Sequence, residues 1–257
     1  MALPVFGLGG EPVDSGHFPR AAAAIEEAGY ASLWVFDAIG RGFCLPDPLM
    51  ALAVAATATR RVELGTGVIQ LPIRNTAELA HRILTLHLLA GDRLLLGVGP
   101  GSTEADFEVV GEAFDGRMKR FAAELPRLRE LLRSGRSGGA DLTPWPATVG
   151  GPPLLIGAWR GPWVERAARD FDGWVASAMH NDDATLADAL KRFREAGGER
   201  AIVTNVQLGA ELGPALDRMS RLADMGFDDV VCLDLQPTSD RIVAIPEALG
   251  RDAHPPA

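Results

Sequence analysis

The chain has 257 residues, a net charge of −9 and 47% hydrophobic residues, enough apolar material for one large core or two small ones. The acidic balance argues against nucleic acid as the main partner, and no apolar run approaches the roughly 18 residues of a membrane span. Cys44 and Cys232 are too few and too unpatterned for a disulfide framework or a zinc site, and the start lacks a basic leader, so a reduced, cytoplasmic setting is expected.

Apolar strand-like runs alternate with helical patterns throughout. Strands are predicted at 4–8, 32–37, 62–69, 93–99, 153–157, 173–177, 201–207 and 229–235. Helices are predicted near 15–29, 48–60, 76–90, 116–134, 162–170, 183–196, 213–225 and 238–249. Asp47 before Pro48 reads as a cap ahead of a first-turn proline, and Thr238 precedes Asp240 in the same way. Gly29, Gly91, Gly197 and Gly226 mark helix ends. Eight strand–helix units give about 32 residues per unit, which predicts an α/β fold: a compact, single-domain (β/α)8 TIM barrel. A doubly wound sheet would need a dinucleotide fingerprint. Both candidates fail, with Pro12 and Ser102 standing where the last glycine belongs. The longest irregular stretch, 135–152, is expected as a loop near the barrel mouth, with Trp145 either covering a ligand or anchoring the loop.

Two strands fade into glycine at their carboxyl ends, Leu64-Gly65-Thr66-Gly67-Val68 and Leu94 through Gly101. Glycine weakens a strand, so its repetition there predicts a close approach to the backbone, at the end of the sheet where barrel ligands bind. The five histidines lack metal-ligand spacing and no metal is expected; no Gly-x-Ser-x-Gly elbow is present, and Asp37 and Asp234 are the two acids placed at strand ends. Trp34, Trp159 and Trp174 fall near strand ends with the glycines, a combination that suits a planar cofactor bringing its own reactivity. A basic run from Arg117 to Arg136 reads either as an anion-attracting face or as a solvated one.

The ordered series Ala28-Gly29-Tyr30-Ala31-Ser32-Leu33-Trp34, Asp47-Pro48-Leu49, Ala55 through Thr66, Leu79-Ala80, Thr85-Leu86, Gly97 through Gly101, Gly111…Phe114…Arg117…Arg120 and Asp172-Gly173-Trp174 resembles the bacterial luciferase-like monooxygenase family. The resemblance implies a (β/α)8 barrel and an oxidoreductase that uses coenzyme F-420 or FMN for hydride transfer to, or monooxygenation of, a small organic substrate. It implies that Thr66, Gly67 and Val68 back the ring, with a cis Gly67–Val68 bond, and that Gly99 lies beside it. Gly157, Ala158, Trp159, Arg160 and Gly161 match the phosphate-holding segment, and Asp37 matches an acidic position that relatives often follow with histidine, here Ala38. Asp37 and His180 are the expected catalytic groups, and pairing of relatives through the alanine-rich second helix implies a homodimer. The alternatives are a non-catalytic flavin-binding carrier or sensor, and a non-redox barrel enzyme acting on a phosphorylated small molecule.

Overall fold

A computed structural model describes residues 1–158, 161–179 and 181–250. In chain order the strands are β1 (Ser32–Val35), β2 (Glu63–Thr66), β3 (Ile69–Gln70), β4 (Leu94–Gly99), β5 (Arg136–Ser137), β6 (Ala140–Asp141), β7 (Leu154–Ile156), β8 (Gly173–Ser177), β9 (Ala201–Leu208) and β10 (Asp229–Asp234). The α-helices are α1 (His17–Glu27), α2 (Pro48–Ala58), α3 (Thr76–Ala90), α4 (Glu104–Val110), α5 (Arg117–Ser134), α6 (Trp163–Asp170), α7 (Asp183–Glu195), α8 (Gly213–Asp224) and α9 (Ser239–Ala248). The main sheet runs parallel in the order β1-β2-β4-β7-β8-β9-β10, with β3 also on β4. Among the described residues no helix is long and apolar enough to cross a membrane.

Residues 1–3 close the ring. Ala2 N–H donates to Cys232 O at 2.8 Å, while Leu3 N–H donates to Trp34 O and Trp34 N–H to Met1 O. The segment therefore stands between β1 and β10 as the remaining stave. The strand expected at 4–8 is thus displaced to the residues before Pro4, which has no N–H with which to continue a ladder. The eight expected helices are all present, but α4 is an addition to them, and the strand expected at 62–69 divides into β2 and β3 on either side of Gly67 and Val68. Asp47 Oδ1 accepts from the amides of Leu49 and Met50, and Thr238 Oγ1 from that of Arg241.

Alternation along the strands separates two cores. Trp34, Leu95, Leu155, Val175, Ile202 and Val231 point inward and fill the barrel, whereas a larger cluster lies between strands and helices. Trp34 sets the first layer. Its indole lies where a side chain at Gly65, its partner across β1 and β2, would stand, with Cζ3 2.6 Å from the position of a Cβ there. At the amino end Arg200 spans the barrel, meeting Glu63 at 3.0 Å and Asp229 at 2.9 Å. Glu26 ties α1 to the entry of β2 by accepting the amides of Arg60, Arg61 and Val62.

Segment 135–152 departs from the expectation. It joins the end of α5 to the start of β7, so it belongs to the amino end of the strands and not to the mouth. It forms the β5–β6 hairpin and rests on the last turn of α5, with Gly150 N–H on Arg133 O. Trp145 there is exposed and covers no ligand site at the mouth.

Candidate functional site

The carboxyl ends of the strands meet in a shallow mouth whose floor is built around Val68. Its side chain is partly buried above the Trp34 layer. A Cβ on Gly157 would collide with Val68 Cγ1, and would lie 2.9 Å from Cγ2 and 3.2 Å from Cβ. A Cβ on Gly99 would sit 2.7 Å from Val68 Cγ2, and one on Gly97 3.1 Å from Cγ1. The close approach that these glycines allow is thus made by the chain itself, and Val68 fills the niche. The Gly67–Val68 peptide is cis, at the bond expected from the family resemblance. Phe36 completes the floor, its Cε1 3.0 Å from where a Gly67 Cβ would be, with Thr204 Cγ2 at 3.4 Å.

Of the residues expected to bind cofactor, Gly67, Val68, Gly99 and Gly157 converge on this floor. Thr66 is fully buried beside it, its hydroxyl donating to Gly97 O at 2.8 Å. Ala158 is buried on the β7–α6 connection, and its carbonyl accepts from Trp174 Nε1 at 3.2 Å. Gly161 precedes α6, and its carbonyl accepts from Arg192. Trp159, Arg160 and His180 lie outside the described residues. Trp34 and Trp174 do not reach the mouth. Trp34 is sealed in the barrel with its Nε1 on Ser32 Oγ, and Trp174 faces the helices, packed on Phe193 and Phe227.

Asp37 is also engaged. Its Oδ1 takes Arg74 Nη2 at 2.7 Å, its Oδ2 takes the Gln70 amide at 2.9 Å, and Arg74 reaches on to Asp47. Burial pushes the Asp37 carboxyl upward, and Arg74 opposes that shift. Gln70 extends the network, since its Nε2 donates to Asp37 O and to Asp106 Oδ2. Asp106, fully buried, also accepts two hydrogen bonds from Arg41, at 2.7 and 2.6 Å, and the Ile39 amide. Burial pushes the Asp106 carboxyl up, but these donors outweigh it and hold it below its ordinary value. Together these residues lock the connections after β1, β3 and β4. Asp234, the other strand-end acid, is held by Arg241 at 2.7 Å.

Sequence reasoning did not single out Gln70, Asp106, Ser177 or Asn205. Asn205 has φ +64° and interrupts the β9–β10 register, which turns its side chain toward β8. Its Nδ2 donates to Ser177 Oγ at 3.2 Å and to Thr204 Oγ1 at 3.1 Å. The signal is a polar Thr-Asn pair directly after the apolar run Ala201-Ile202-Val203 in β9. A cavity of about 260 Å³ lies over the ends of β8 and β9, lined by Ala178, Met179, Asn205, Gln207, Glu211 and Arg218. Another, of about 220 Å³, lies at the amino end between α8, α9 and the turn into β1, away from the glycine floor.

The basic run divides. Arg127, Arg133 and Arg136 pair with Glu124, Glu130 and Asp141 along the outside of the barrel. Arg117, in the first turn of α5, instead donates from Nε to Gly101 O at 3.1 Å and lies over the Phe114 ring.

Comparison with known proteins agrees with this architecture. The chain is 31% identical over 159 residues to 4-hydroxyprotoasukamycin monooxygenase of Streptomyces nodosus subsp. asukaensis, a match that covers 57% of this chain and 43% of that protein. The chain therefore spans less than half the length of this relative. Its fold superposes on a monooxygenase from Streptomyces bottropensis with a TM-score of 0.80 at 18% identity, covering 96% and 97% of the two chains. It superposes on an F-420-dependent secondary alcohol dehydrogenase with a TM-score of 0.74 at 15% identity, covering 90% and 92%. A family model described as luciferase-like monooxygenase matches residues 5–224, and the chain belongs to that family.

Proposed function

We propose that this protein is an oxidoreductase that uses a reduced flavin or deazaflavin, coenzyme F-420 ahead of FMN, to transfer hydride to or oxygenate a small organic substrate. The observation that carries this reading is the Val68 floor. Gly97, Gly99 and Gly157 put no side chain of their own on it, so a flat ring laid over Val68 would meet backbone, that one aliphatic group and the flanking Phe36. Such a surface fits an isoalloxazine-type system, whose faces are apolar and whose edge is polar. Ser177 and Asn205, beside the floor, offer hydrogen-bonding atoms to such an edge. When bound, the cofactor supplies the two-electron chemistry, and the protein supplies shape and charge.

The chain's own residues have the following roles in this reading. Val68 orients the ring. Asp37 is a positioning residue, holding Arg74 and the Gln70 amide so that the connections after β1 and β3 keep their places. The segment from Gly157 to Gly161 and the start of α6 receive the cofactor phosphate. Arg117 meets an anionic tail beyond it, which is the ground for ranking F-420 first.

Anaerobic titration of the protein with F-420 and with FMN, followed by absorbance and fluorescence, tests the proposal. Saturable binding of at least one, weakened by Val68→Asp, is the expected result. Binding of neither refutes the redox reading, and binding without turnover across a broad substrate panel favours a carrier. Arg117→Ala weakens F-420 more than FMN if the tail assignment is right.

A further inference from the structure

We propose that the cavity at the amino end of the barrel, opposite the mouth, is a second binding site, and that it takes a small primary amine carried on an apolar body. No residue of the glycine floor takes part, so this site stands apart from the cofactor reading.

The space arises where the ring closes. β1 starts at Ser32, β10 starts at Asp229, and α8 ends at Asp224 beside them. Tyr30 holds α9 to the turn before β1, its hydroxyl donating to Ile242 O at 3.0 Å. Between that anchor and the end of α8 a cavity of about 220 Å³ remains. A cavity of about 150 Å³ is enough for benzene, so this one holds an aromatic ring and a short chain. Tyr30, Met219, Val230, Ile245 and Leu249 form its apolar walls. Among them the Met219 thioether adapts to the shape of a guest, and an aromatic wall such as Tyr30 attracts a cation.

The polar part of the wall accepts and is short of donors. Asp224 and Ser220 make no side-chain hydrogen bond or ion pair among the described residues, and both line the cavity. Asp229 gives its Oδ2 to Arg200, at 2.9 Å from Nη2, and its Oδ1 stays unengaged. Arg200 is itself shared with Glu63 behind the cavity. Arg221, the residue after Ser220, turns to Asp183. The Met1 amine, on the same wall, donates to Ser32 O at 2.7 Å. Three carboxylates (Glu63, Asp224 and Asp229) thus stand against two cations (Arg200 and the Met1 amine), and the excess is negative. An ammonium group brings three donors and no acceptor, which suits Asp224, Asp229 Oδ1 and the Ser220 hydroxyl together. A carboxylate of the same shape would meet like charge.

Calorimetry and saturation-transfer NMR on the full chain test the site, with phenethylamine as the cation, 3-phenylpropionate as the anion and 2-phenylethanol as the neutral analogue. Phenethylamine is expected to bind about tenfold more tightly than 3-phenylpropionate, by a margin that shrinks as salt is raised. Asp224→Asn should weaken phenethylamine about threefold and leave 2-phenylethanol unchanged. Ala223 is exposed on the cavity wall, so Ala223→Phe should fill the space and abolish binding, with thermal melts checking that the fold is kept. Val68→Asp, at the far end of the barrel, should leave amine binding intact. Absence of phenethylamine binding, equal binding of the anion, or an unchanged affinity in Ala223→Phe each overturns the inference. So does loss of amine binding in Val68→Asp, or binding that appears only when residues 251–257 are removed.

Discussion

Replacing Gly157 by alanine puts one methyl group into the niche that holds Val68. The position carries no left-handed backbone requirement, so the effect is steric alone. The new Cβ would overlap Val68 Cγ1 and stand 2.9 Å from Cγ2, against the roughly 3.5–4.0 Å at which carbons rest. Val68 must move or rotate, or β7 must retreat from β4. Overpacking of this kind costs about 1–3 kcal/mol, and in a chain of this size each kcal/mol lowers the melting temperature by roughly 2–4 °C. Val68→Ala alone removes two methyl groups and is expected to cost about 1–2 kcal/mol at a partly buried site. In the double variant the space vacated by one change receives the other, so the two costs do not add, and a coupling of about 1–2 kcal/mol in favour of the pair is expected. Urea unfolding of the four proteins measures the cycle. Additive costs would refute the packing argument. So would a Gly157→Ala protein of undiminished stability that had lost its cofactor, because the glycine would then have been making room for the ligand and not for Val68.

Glu26→Gln is expected to cost about 1.5–3 kcal/mol, because three backbone amides lose a charged acceptor. Burial pushes the Glu26 carboxyl up, but the amides outweigh it and hold it below its ordinary value, so its stabilisation is full above the unfolded pKa of about 4.3 and is lost as pH falls through the lower folded value. The variant should lack that component in melts taken from pH 6 downward; an unchanged acid limb contradicts the assignment. Asp37→Asn strands Arg74, whose side chain is 17% exposed, and should cost about 3 kcal/mol while leaving the shape of the pH–rate profile intact. Loss of a limb of that profile with full stability would make Asp37 a proton carrier instead. On the outer face of α2, Met50 is 69% exposed with Val54 one turn on, and a homodimer through this face is expected by light scattering. Met50→Glu with Val54→Lys should yield monomers of unchanged stability, and a monomeric parent protein would refute the pairing.

Most of the architecture can be read from the chain because each stave is a short apolar run bounded by its own punctuation. Asp47 and Thr238 start helices by side-chain hydrogen bonds to residues two or three places on, and such local chemistry is visible in sequence. The first stave was misplaced because residues 5–8 look as apolar as residues 1–3, and the difference lies in one missing N–H at Pro4. The glycines announce a close approach to the backbone, which their place at strand ends assigns to a ligand, but Val68 occupies the space beside Gly97, Gly99 and Gly157. That the neighbour is Val68 depends on strands brought together by folding, and spacing along the chain does not carry it. The tryptophans misled for a related reason. Strand residues alternate in direction, so Trp34 faces the barrel and Trp174 the helices, and closeness to a strand end does not tell which. The Asp37–Arg74, Gln70–Asp106 and Ser177–Asn205 pairs span 37, 36 and 28 residues, and nothing local announces them.

The seam made by Ala2 has a consequence for the order of events at the ribosome. Residues 1–3 are made before every other stave, yet Ala2 binds the carbonyl of Cys232, which lies in the last of them, β10. The staves from β1 to β9 can pair as they emerge, each beside a predecessor already present. The first three residues must keep one edge open through all of that synthesis, because the strand that covers it does not yet exist. Ring closure at this seam therefore waits on β10, the last stave to be made.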